Sequence, residues 1–160
     1  MSLVRFLMLL SLVVWVGGLI FFAFGLAPTV FHPGILPSRQ LAGNVVNRSL
    51  GIMHWMGLAC GVVFAMASML DARVVDGAAQ PFALRNLLIY AMIALTLVGM
   101  FGMAPRMAVL RNEMGFIDAL PHDDARRVEF NRLHVWSTRV EGTVMLLGLV
   151  LVYVMARRIG

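Results

Sequence analysis

From Phe6 to Phe31 the chain runs 26 residues without a charged side chain, and this stretch constrains the fold more than any other feature. A bilayer hydrocarbon core is crossed by about 20 apolar residues in a helix. Backbone polar groups have no water partner there, so a helix that satisfies them internally is the expected form. A cleavable leader has an apolar core of only about 7–15 residues, so this run reads as a retained span. Three more runs follow, near Ser49–Leu70, Asn86–Pro105 and Ser137–Ala156. The last reaches spanning length only by carrying Arg139 and Glu141 with it. The expected fold is therefore all-α: residues 1–160 form one integral membrane domain, a four-transmembrane-helix bundle with a short charged helical extension (about Asp123–Arg132) before helix four.

Composition agrees. The chain is 61% hydrophobic and 13% charged, against about 25% charged for soluble domains, and its mean hydropathy is +0.88. The net charge of +5 comes from 13 arginines with no lysine. These flank apolar runs and are not gathered on one soluble face as a nucleic-acid binder requires, so the expected partner is the lipid bilayer and not nucleic acid. Four spans put both termini on one side. Of the arginines, eight fall on the opposite, polar side and five on the terminal side. Discounting three for a site evens the counts, so the positive-inside rule leaves orientation undecided. The reading adopted is a bacterial inner-membrane protein with both termini outside the cytoplasm. The single cysteine, Cys60, permits neither an intramolecular disulfide nor a cysteine metal cage.

Polar residues gather at one end. Helix two begins there with Asn44, Asn47, Arg48 and His54, helix three ends there with Pro105-Arg106, and helix four begins there with Asn131, His134, Ser137, Thr138, Arg139 and Glu141. The opposite halves read as almost wholly apolar. Spacings of three and four residues put Asn131, His134, Thr138 and Glu141 on one stripe, and Asn44, Asn47, Gly51, His54, Gly57 and Gly61 on another. Gly18, Gly51, Gly57 and Gly61 are the expected helix-packing positions, since small residues let membrane helices approach closely. A charge inside a membrane needs a partner, and Glu141 is expected to pair with Arg48 or Arg106.

His54 and His134 are the candidate ligands, because imidazoles from two helices can hold haem iron or another transition metal. Asn47, Arg48, Arg106, Thr138, Arg139 and Glu141 are the supporting polar groups. Haem b or copper is the cofactor this pattern would take. Methionines at helical spacing, among them Met100, Met103 and Met107, read as core filler. No phosphate loop or ordered nucleophile–base arrangement is present, so no catalytic residue is assigned and the reading leans away from an enzyme.

Taken together, Trp15-Val-Gly-Gly18, Phe21-Phe22, Ala27-Pro28-Thr29-Val30-Phe31, Ser49-Leu-Gly-Ile-Met-His54, Ala104-Pro105-Arg106 and Phe130-Asn-Arg-Leu-His134 with Ser137 resemble the transmembrane protein 205-like family, also described as domain of unknown function 4149. The resemblance covers nearly the whole chain. It implies a four-helix membrane protein and singles out His54, Pro105-Arg106 and His134. Its eukaryotic members are associated with resistance to platinum drugs, which fits metal handling. Three functions follow as expectations: a metal- or haem-binding protein, a small transporter or efflux accessory, and a structural or assembly subunit in a homo-oligomer or larger complex.

Overall fold

The computed structural model describes residues 2–115 and 120–159. Among these it has four helices long and apolar enough to cross a membrane: α1 (Leu3–Phe31), α2 (Arg39–Asp76), α3 (Leu84–Met114) and α4 (Ala125–Arg157). They pack in a ring in which α1 and α3 each touch α2 and α4, so α2 and α4 face one another across the diagonal. This is the expected all-α membrane bundle.

The helix ends have local causes. Ser38 caps α2, its Oγ accepting from the Leu41 N–H at 3.2 Å, which satisfies one orphan donor of the first turn. Gly77, at φ 76°, closes α2 in the left-handed conformation that glycine adopts without a Cβ clash. Proline interrupts two helices without ending them. A proline inside a helix removes an N–H and crowds the carbonyl four residues back. Here Phe21–Leu26 precedes Ala27-Pro28 and Val98–Met103 precedes Ala104-Pro105, both as π-helical turns. Ala27 N–H bonds Phe22 O and Ala104 N–H bonds Gly99 O, a five-residue step that widens the helix before the proline. Helix α3 therefore continues beyond Pro105, its expected end, to Met114.

Lipid-facing aromatics and arginines mark the membrane levels, as expected at both interfaces. On α4, Arg139 lies 5.2 Å over the exposed Trp136 ring at one end, and Arg157 lies 6.0 Å over Tyr153 at the other. Trp136 and Tyr153 are 17 residues apart, about 26 Å along a helix. On α2, exposed Trp55 and Arg73 lie about 27 Å apart by the same rise. These spans approach the ~30 Å hydrocarbon thickness.

Helices α2, α3 and α4 run past the polar-side boundary and form a small cap. Leu110, Met114 and Phe130 pack there with Met107, Leu120 and Leu133. The cap is tied by a two-pronged Arg106–Glu129 ion pair at 2.8 Å and 2.8 Å and by Arg111, which sits over the Phe130 ring and donates to Gly43 O. Arg126 pairs with Asp124, holding that carboxyl down at about 2.

The membrane core is built on Trp15, with Phe64, Ile89, Met92, Val144 and Leu151 fully buried around it. A Cβ added at Gly57 would collide with the Trp15 indole, and one at Gly61 would lie 2.8–2.9 Å from Ile93 and Trp15. A Cβ added at Gly18 would make only an ordinary contact with Met56, at 3.6 Å, and one at Gly51 would meet nothing. Gly148, whose added Cβ would lie 2.7 Å from Val16, is a close approach the sequence reading missed.

The terminal-side half is not wholly apolar, contrary to expectation. Ser68, Asp71, Arg85 and Asn86 are buried there. Arg5 Nε donates to Asp71 at 3.2 Å, Arg85 Nε to Ser68 Oγ at 2.6 Å, and Asn86 Nδ2 to Gln80 O at 2.8 Å. Asp71 and Arg85 read as charged loop flanks because each stands at the edge of an apolar run. Extending α2 to Asp76 turns Asp71 inward.

Candidate functional site

At the opposite boundary, His54 of α2 and Glu141 of α4 meet across the diagonal of the ring. His54 Nε2 and Glu141 Oε1 share a hydrogen bond of 2.5 Å, with side chains 6% and 15% exposed. Glu141 Oε2 is buried and has no hydrogen-bond partner among the described residues. The expected Glu141 partner, Arg48 or Arg106, is therefore replaced by His54. Arg106 is committed to Glu129 in the cap, and Arg48 lies on the exposed outer part of α2.

The pair has walls of backbone and apolar side chains. Gly99, the second residue of the α3 π-turn, faces Glu141, whose Oε1 would be 3.7 Å from an added Cβ. The small residue leaves room for the carboxylate beside that widened turn. From α1, Gly18 contacts Met56 two residues beyond His54, and the α1 π-turn continues from there toward the polar side. Both π-turns thus begin near the depth of the pair, which suits the tendency of such turns to occur at functional sites.

The pair stands between the Trp15 core and an exposed polar stripe. Toward the termini lies the Trp15 core. Toward the polar side, Asn131, His134 and Thr138 continue the Glu141 stripe outward and are all exposed. Asn47 continues the His54 stripe and is exposed, and the space at Gly51 is empty. A separate cavity of about 420 Å³ lies beneath the α1–α2 connection, lined by His32, Ser38 and Arg39 among others, away from the pair.

His134 does not join His54. It stacks on Phe130, with ring centres 6.4 Å apart, and is two helical turns, about 10 Å, outward of Glu141. Thr138 Oγ1 donates back to His134 O, and Arg139 turns outward onto Trp136. Of the residues proposed from sequence, the structure brings together His54 and Glu141. No group of three or more His, Cys, Asp or Glu side chains suited to a metal occurs among the described residues.

A family model described as Domain of unknown function (DUF4149) matches residues 10–115. The chain belongs to the DUF4149 family. No curated protein and no solved structure matches it. The DUF4149 match includes His54, both proline-linked π-turns and Arg106. It stops before α4, so Glu141 and His134 lie outside the matched segment.

Proposed function

We propose that this membrane protein binds a small cation between His54 and Glu141, taken up from the polar side. The observation that carries this reading is the buried His54–Glu141 contact with Glu141 Oε2 left unpartnered. A buried carboxylate oxygen without a partner costs free energy, and an intramembrane ionisable pair is a functional-site hypothesis by default. One imidazole nitrogen and two carboxylate oxygens offer three donor atoms. They suit a borderline divalent transition ion, with water completing its shell, better than copper(I), which favours thiolate and thioether donors. Haem held between His54 and His134 is disfavoured, because the two imidazoles stand at different depths.

Transport across the membrane is the weaker alternative, since the Trp15 core would have to open. An assembly role would not account for the unpartnered oxygen. The finer assignments belong to this proposal too: the transmembrane protein 205-like family, a bacterial inner membrane, and both termini outside the cytoplasm. The test is calorimetric titration of the metal-free protein in detergent with Co²⁺ or Zn²⁺, alongside elemental analysis and a visible spectrum of protein taken gently from native membranes. One saturable ion per chain is expected, lost in His54→Ala and Glu141→Gln and kept in His134→Ala. Absence of saturable binding, or equal loss in His134→Ala, refutes the proposal.

A further inference from the structure

A different face of α4 carries its own unassigned chemistry. Arg132, Trp136 and Arg139 are four and three residues apart and form one stripe. All three are exposed. The stripe continues into the apolar, lipid-facing Leu146, Val150 and Tyr153, so Arg132 and Arg139 stand where the hydrocarbon gives way to headgroups. The acidic side chains nearest them on this helix are already engaged. Glu129 is held by both prongs of Arg106, and Glu141 turns to the opposite face and His54. Arg132 shares Glu129 with Arg106, and Arg139 has no ion-paired carboxylate among the described residues; Arg139 is steadied 5.2 Å over the Trp136 ring.

We infer that Arg132 and Arg139, set around Trp136, form a binding site for the phosphate of an anionic phospholipid in the polar-side leaflet. Guanidinium groups present paired N–H donors that match phosphate oxygens. The indole between them lies at the depth where lipid carbonyls and headgroups meet. The lipid's acyl chains run down the Leu146–Tyr153 face. This site is independent of the His54–Glu141 proposal.

Trp136 itself provides the readout. The chain has three tryptophans. Trp15 is buried, so in a Trp55→Phe background Trp136 is the exposed indole. Reconstituted into mixed bilayers, this protein is titrated with brominated phosphatidylglycerol or brominated phosphatidylcholine, and the quenching of Trp136 gives their relative binding constants. A juxtamembrane arginine contributes on the order of a fivefold preference for anionic lipid, so a preference of at least fivefold for phosphatidylglycerol is expected. It should fall to near unity in Arg132→Gln/Arg139→Gln and persist in Arg132→Lys/Arg139→Lys. Equal quenching by both lipids overturns the site, as does a preference that survives the double glutamine change. Loss of the preference on adding millimolar inorganic phosphate at constant ionic strength would assign the arginines to a free anion and overturn the lipid assignment.

Discussion

Two buried polar layers stand at opposite edges of the membrane core, and they are built on different terms. Along α2, His54 and Asp71 are 17 residues apart, about 26 Å. The terminal-side layer has several partners: Arg5 on Asp71, Arg85 on Ser68 and Asn86 on Gln80 O, with Asn86 Oδ1 the unbonded side-chain acceptor. It joins α1, α2 and α3 and sets Arg5 on one buried carboxylate. The polar-side layer is one contact between two helices, His54 with Glu141, and its second carboxylate oxygen is unused. A network of the first kind holds helices together. A single pair with an unused oxygen is the arrangement in which a ligand can be taken up and released.

The contrast is broken most sharply by Asp71→Ala. Removing the buried acid deprives the half-exposed Arg5 of its carboxylate, and loss of a hydrogen bond to a charged group typically costs about 1.5–3 kcal/mol. Unfolding in detergent should show a loss of that order, with cation affinity of the folded fraction unchanged. A variant as stable as the parent would remove the structural role assigned to this layer. Next in size is Gly61→Ala. Its Cβ would force Ile93 and Trp15 aside, and overpacking of this kind costs about 1–3 kcal/mol. Thermal melting should register it while His54–Glu141 chemistry persists.

Glu141→Gln should reverse the pattern. Stability should move by no more than about 1.5 kcal/mol, the usual net worth of one hydrogen bond, while cation binding disappears. If this variant instead unfolds as Asp71→Ala is expected to, the two layers are alike and the functional reading fails. His134→Ala, at an exposed position, should leave stability within about 0.5 kcal/mol and binding intact.

The smallest effects belong to the cap. Breaking the exposed Arg106–Glu129 pair should lower the melting temperature only slightly, because solvent screens it. Asp124 adds a pH signature. Its carboxyl is held down to about 2, first by the hydrogen bond from Arg126, against about 3.9 for an unperturbed aspartate. The folded form therefore binds this proton less readily than the unfolded form. Its contribution is present above pH ~4 and is lost as pH falls through about 2. Between pH 7 and 5 Asp124→Asn should melt below the parent by a margin that does not change with pH, and the difference should close only in strong acid.

The spans were legible in the sequence because lipid imposes a crude rule: long apolar runs must be helices, and arginines and aromatics collect at their ends. The polar end and the small-residue lines through Gly57 and Gly61 could also be read from spacing, as could the stripes that carry His54 and Glu141. Two further signals were present but unread. The matching Ala27-Pro28 and Ala104-Pro105 dipeptides mark where each helix widens before a proline. The edge charges Asp71 and Arg85 are separated from their nearest apolar runs by too little chain to stay outside a helix that continues past them.

What one dimension could not supply was the pairing across the ring. The sequence by itself determined four helices, their polar and apolar faces and the approximate depth of each charge, because helical periodicity and the cost of burying charge act locally along the chain. Only the tertiary structure decided that Glu141 meets His54 and not an arginine, and that His134 stands apart. Those outcomes depend on α2 and α4 facing one another across the diagonal, on their relative register, and on Arg106 being drawn away to Glu129 in the cap. Each is a relation between helices distant in sequence, which no periodicity within one helix encodes.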